Sequence, residues 1–220
     1  PDPGLPTDFY NGILAAGEEV AVMVMLDRGW GYLCDKSKPE RKEALYQYAV
    51  NYVEPVLENY PELKGKVYLA LRKHGFFAEY DPVNHIIVPE NASSRYGKHL
   101  LMSITAHEMG HLLQYEFDIE KDKQSLWTEM QATVISWERG FAKDFILSFP
   151  ENCSRSTCCG EEKHGYFHCN LFFEGCCRNC SVRDMDRRAE KLEAIAREYK
   201  ITDVLNVTEL KEKIKKAMCG

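Results

Sequence analysis

From about residue 96 the apolar positions recur at helical spacing. Leu100, Ile104, His107, His111 and Tyr115 step by four, three, four and four residues, so they share one face. The pattern predicts a helix from Tyr96 to about Phe117. A second helix is predicted from Ser125 to about Phe149, with Leu126, Met130, Thr133, Val134, Trp137, Phe141 and Phe145 inward and Pro150 closing it. Upstream, Leu45, Tyr48, Ala49, Tyr52 and Val56 follow the same period and predict a helix from Pro39 to about Glu58. Thr7 and Asp8 offer caps for a helix running to about Asp27, with Gly29 and Gly31 ending it. Two more helices, about Val182–Tyr199 and Thr208–Met218, finish the chain.

Residues 66–89 change character. The run from Lys66 to Leu71 is too short to separate strand from helix by period. Residues 76–80 and 85–88 read as two strands. Asp81, Pro82, Val83 and Asn84 between them are turn chemistry, because Pro presets φ while Asp and Asn bond their own backbone. The expectation is an α+β fold, mostly helical, with a small antiparallel hairpin sheet beside the helix that starts near residue 96. Residues 1–150 form the main domain with N-terminal helices, 151–181 a Cys-rich insertion, and 182–220 a helical segment packing on the main domain.

Composition sharpens this little. Apolar residues make up 45% and charged residues 28% of 220, the profile of a globular chain. The longest apolar run, Val20 to Leu26, falls far short of the roughly 20 residues of a membrane span. With 34 acidic residues against 28 basic ones and no basic patch, nucleic acid is not an expected partner. The first residue, Pro1, suggests a processed chain.

His107-Glu-Met-Gly-His111 is the most informative pentad. On a helix, residues four apart stack one turn above the other, so both imidazoles can reach one metal ion. Glu108 projects beside that ion, where a carboxylate can take a proton from water. An amphipathic helix whose histidines merely cap a core is the bland alternative. A catalytic zinc needs a third protein ligand. The metzincin pattern would place a His at position 117, which is Phe117, and Asp118 misses it by one. Glu129, on the next helix, is the favoured donor if that helix packs antiparallel to the first; a solvated helix glutamate is the alternative reading. Glu138 is the runner-up, turned to about the opposite direction at 100° per residue.

HExxH followed by a Glu on the next helix resembles the gluzincin clan of zinc metallopeptidases. Residues 76–140 look like its compact members, the minigluzincins, and like the IrrE/ImmA-type peptidases. There, residues 78–88 match the edge hairpin before the active-site helix, an edge that would bind an extended peptide by strand addition. The resemblance implies a zincin-like fold and one catalytic Zn2+ held by His107, His111 and Glu129, with Glu108 as general base. It implies hydrolysis of a peptide or protein substrate, with zinc polarising the scissile carbonyl. Clan members add a Tyr or His that stabilises the oxyanion; Tyr96, Tyr115, His164 and Tyr166 are the candidates here.

Seven of the nine cysteines crowd together: Cys153, Cys158, Cys159, Cys169, Cys176, Cys177 and Cys180. Disulfides are the first reading, and an odd number requires Cys34, Cys219 or a free thiol. A second, structural metal is another, although only Cys177 and Cys180 have ligand-like spacing. An iron–sulfur cluster is the third. Paired cysteines, together with sequons at Asn91, Asn152, Asn179 and Asn206, would point outside the cell; otherwise the interior of a thermophile is favoured. Two rivals to an active peptidase stand beside it. One is an inert zinc-binding interaction module whose fourth ligand is a side chain such as Cys219. The other is a latent protease inhibited by its C-terminal helices.

Overall fold

The structure is a computed structural model and describes residues 21–35, 39–72, 76–79, 84–89, 92–117, 126–152, 185–200 and 207–219. Its first described element corrects the end of the expected N-terminal helix, whose residues before 21 lie outside the described residues. The run before Asp27 is a strand, β1 (Ala21–Met25), paired antiparallel with β2 (Trp30–Asp35). A short apolar run carries no period that separates buried helix from strand, and the β-branched Val22 and Val24 suit a pleated surface. The turn decides. Leu26 N–H donates to Trp30 O (2.9 Å) and Gly29 N–H to Leu26 O (3.2 Å). Gly29 sits at φ +85°, a conformation that costs glycine nothing and a side chain about 1–2 kcal/mol.

From β2 the chain crosses over through α1 (Pro39–Tyr48), a π-helical turn (Ala49–Val53) and α2 (Glu54–Leu57) into β3 (Val67–Arg72). Such a crossover is what a parallel neighbour requires, and β3 lies parallel to β2 with Trp30 opposite Val67. Next come β4 (Phe77–Glu79) and β5 (His85–Pro89), which pair antiparallel as the sequence pattern predicted. β5 inserts beside β3, parallel to it, with Tyr68 opposite His85. The sheet order is therefore β1-β2-β3-β5-β4.

The expected small antiparallel sheet is thus wrong in its centre. β2, β3 and β5 are parallel, and antiparallel pairing is confined to the two edges. The hairpin was readable because its turn residues are local. The parallel pairings were not, because they join segments distant in the chain: a helical crossover separates β2 from β3, and β4 lies between β3 and β5. Trp30, Leu45, Tyr48, Val53, Val56, Leu57, Leu63, Val67, Leu69, Ile86 and Ile87 are buried together in this part of the chain. Trp30 also satisfies its indole N–H on Glu54 Oε1 at 2.9 Å.

The chain divides into two compact units, Pro1–Ala92 and Ser93–Gly220, the boundary falling within a single helical turn, α3 (Ala92–Arg95). The second unit is helical: α4 (Lys98–Glu116), α5 (Leu126–Ser136), a kinked turn (Trp137–Phe141), α6 (Ala142–Asn152), α7 (Met185–Arg197) and α8 (Val207–Cys219). The single helix expected from Ser125 to about Phe149 is broken at Gly140, whose φ of +93° leaves the helical region. α6 continues two residues past Pro150, where the sequence pattern ended it. One core joins these helices: Met130, Val134, Trp137, Phe145 and Ile146 from α5 to α6 with Ala189, Leu192, Ile195 and Ala196 from α7 and Leu210, Ile214 and Ala217 from α8. Trp137 and Phe145 meet edge to face at 5.1 Å. The two C-terminal helices are therefore part of the core that supports α5. No helix among the described residues is long and apolar enough to cross a membrane.

α4 and α5 approach closely at Gly110. A Cβ built there would lie 2.6 Å from the Ala132 carbonyl oxygen and 3.1 Å from its carbon. The clash is with backbone, so it cannot be relieved by turning a side chain. Gly110→Ala should gain up to about 1 kcal/mol of helix propensity and lose about 1–3 kcal/mol to overpacking. The expected net result is a lower melting temperature; an unchanged or raised one would show that α5 can move away freely.

Candidate metal centre

α4 is buried on most sides. From Leu100 to Gln114 only Ile104 and His111 keep partial exposure, and Tyr115 follows them. At 100° per residue these three lie along one stripe, so a single face of the helix is open, and it passes through His111.

The contacts between α4 and α5 run in opposite directions along the two helices: Gln114 meets Thr128, His111 meets Glu129, and His107 meets Thr133. The pair is therefore antiparallel, and Glu129 arrives from the first turn of α5 beside both histidines. His111 Nε2 lies 2.9 Å from Glu129 Oε2, His107 Nε2 lies 3.2 Å from the same oxygen, and the two Nε2 atoms are 3.1 Å apart. Among the described residues, His107, His111 and Glu129 are the group of three or more donors placed to hold a metal ion.

Hydrogen bonds behind the rings define what those atoms are. Thr133 Oγ1 donates to Glu129 O at 3.1 Å, which uses its one proton. Its contact with His107 Nδ1 at 3.0 Å therefore has the ring donating and the hydroxyl accepting. Gln114 Nε2 donates to Thr128 O (2.9 Å) and Gln131 Oε1 (2.7 Å), so its Oε1 faces His111 Nδ1 at 2.9 Å as an acceptor. Both rings thus donate from Nδ1; in the neutral form this leaves a bare Nε2 lone pair facing the site, and a proton on Nε2 would bond Glu129 Oε2 instead. That neutral form is one of the two in which a histidine can ligate a metal, here through Nε2.

Two nitrogen lone pairs and a carboxylate oxygen at mutual distances of 2.9–3.2 Å repel one another unless a positive charge stands among them. A tetrahedral zinc with bonds of about 2.0–2.1 Å spaces its donors by about 3.3 Å, so opening the group by a few tenths of an ångström would admit the ion. The residues fit the metal.

The electrostatics of the site agree. Burial opposes a charge on His111, yet its hydrogen bond to Glu129 and the carboxylates of Glu108 and Glu129 together raise its pKa above 6.5. Burial likewise opposes the Glu129 carboxylate, but hydrogen bonds from His107 and His111 bring it down to about 2. A proton on His111 stands in for the cation. Glu108 is buried, 6% exposed, and its charge is felt at His111.

Other sequence candidates separate clearly. Glu138 is exposed in the kinked turn between α5 and α6 and is not part of the group. Tyr115 is half-buried one turn beyond His111, on the open stripe. Tyr96 is half-buried with the Arg95 guanidinium 5.2 Å over its ring. His164, Tyr166 and the cysteines Cys153, Cys158, Cys159, Cys169, Cys176, Cys177 and Cys180 lie outside the described residues. Sequence reading missed Gln114 as a site residue and took Thr133 only as an inward helix position. The signal was present in both cases: Gln114 is three residues after His111 and Thr133 four after Glu129, both same-face spacings. No protein family, curated protein or solved structure matches this chain.

The shifts set a pH dependence in metal-free protein. His111, raised above 6.5, contributes stability that is complete below 6.5 and is lost as pH rises through its folded value. Glu129, lowered from 4.5 to about 2, contributes stability that is complete above 4.5 and is lost as pH falls toward 2. In EDTA, wild type should exceed Glu129→Gln in stability most between pH 4.5 and 6.5, with the gap shrinking above that window. Urea melts across pH would check it; a gap that widens toward pH 8 would contradict the assignment.

Proposed function

We propose that this chain is a zinc-dependent metallopeptidase with a zincin-like fold. The observation that carries the reading is the convergence of two Nε2 lone pairs and one carboxylate oxygen beside a buried glutamate, on the helix face that stays open. Three protein donors, with a partly accessible His111 and Glu129 (14% and 21% exposed side chains), suit a catalytic zinc, which keeps one coordination position for water or substrate.

His107, His111 and Glu129 would hold the zinc, which when bound supplies Lewis acidity, polarising a carbonyl and acidifying water. Thr133 and Gln114 keep the two rings in the ligating tautomer. Glu108 accepts the proton of the attacking water and delivers it to the leaving amine nitrogen, as a general base and then a general acid. The open stripe of α4 gives a peptide its approach, with Tyr115 along it as a substrate or oxyanion contact.

Purified protein should carry about one zinc per chain and cleave a denatured protein substrate in a chelator-sensitive way. Glu108→Gln should lower turnover by about 10²–10⁴-fold, the usual worth of a general base, while zinc content by elemental analysis stays unchanged. Zinc retention with no cleavage by wild type would support an inert binding module instead.

A further inference from the structure

Gln114 is fully buried, and each polar atom of its side chain has an assigned partner. Nε2 donates to two acceptors on α5, Thr128 O and Gln131 Oε1, and Oε1 accepts from His111 Nδ1 on its own helix. Thr128 immediately precedes Glu129. The two acceptors on α5 permit only one orientation of the amide: turned over, it would set Oε1 against Thr128 O and Gln131 Oε1, and Nε2 against the Nδ1 proton of His111. Docking of α5 thus determines which way Gln114 faces, and Gln114 determines which nitrogen of His111 is left bare.

We propose that Gln114 is a positioning residue that couples zinc binding to the packing of α4 against α5. Ligand tautomer and delivery of Glu129 are then a single event: the contact that brings the carboxylate to the site also sets the lone pair of His111. The inference rests on the metal-centre reading above. It differs from the part played by Thr133, which reaches His107 from the ligand-bearing helix and bonds only within α5 besides.

The test compares zinc affinity of the full chain, by chelator competition, for wild type, Gln114→Met and Gln114→Glu. Methionine keeps the length of the side chain and removes both hydrogen-bonding ends. Glutamate restores an acceptor for His111 Nδ1 while losing the donors to α5. Gln114→Met should weaken zinc binding about 10–100-fold, the usual effect of losing a residue that orients a metal ligand. Gln114→Glu should recover most of that loss. Equal affinity of Gln114→Met and wild type, or a Gln114→Glu variant as weak as Gln114→Met, overturns the proposal, since the amide would then be at most a helix staple. If Gln114→Met does not fold, the zinc-loaded wild type decides through its long-range ¹H–¹⁵N imidazole spectrum: a His111 protonated on Nδ1 supports the proposal, and one metallated through Nδ1 overturns it. Wild type that takes up no zinc overturns the metal-centre reading itself, an outcome distinct from equal binding by the variants.

Discussion

Holding three electron-pair donors around one point costs free energy, and the helical unit is arranged to hold them there. Nε2 of His107, Nε2 of His111 and Oε2 of Glu129 stand 2.9–3.2 Å apart. Left bare, that group would spread. It is held because α4 and α5 meet backbone to backbone at Gly110 and Ala132, and because α5 is buried on its other side by α6, α7 and α8. The positive charge the group lacks is supplied by a proton when His111 is protonated, and is the charge a divalent cation would bring.

The interface between α4 and α5 is unusual for a helix pair in how much polarity it buries. Gln114, Thr128, Gln131 and Thr133 are all 2% exposed or less. Buried polar groups are expensive unless satisfied, so a half-formed network here would destabilise the pair. Leucines at these positions would make a simpler core. Here Thr133 and Gln114 instead accept from the Nδ1 atoms of His107 and His111, Thr128 O and Gln131 hold the Gln114 amide, and an apolar cluster covers the far side of α5.

That cover includes the C-terminal helices. Leu192, Ile195, Leu210 and Ile214 complete the core around Met130, Val134 and Trp137, one helix removed from the metal group. Removing α7 and α8 would strip the outer side of the helix that delivers Glu129. Among the described residues they share one core with the helix that carries Glu129. Between α5 and α6 the kink at Gly140 leaves Trp137 and Phe141 buried and Glu138 exposed, and Glu138 is not part of the His107, His111 and Glu129 group.

Much of the site was legible in the chain because its signals are local. His107 and His111 share a helix face by spacing alone, and the helices themselves announce their periods from Leu100 to Phe145. The β4–β5 hairpin was legible for the same reason, through its turn residues. Glu129 was legible only as a candidate, since a carboxylate becomes a ligand when a second helix brings it within 3 Å, and no period encodes that docking. Tertiary structure alone decided the parallel centre of the sheet, which pairs β2 with β3 across a helical crossover and β3 with β5 past the intervening β4. It alone showed Ala21–Met25 to be a strand, because a five-residue apolar run takes its conformation from the partner it pairs with. It also set the acceptors, Thr133 Oγ1 and Gln114 Oε1, that the two Nδ1 atoms face. Sequence specifies what lies within one turn of helix or one turn of hairpin; what depends on two segments meeting is settled by packing, where burial energy outweighs local preference.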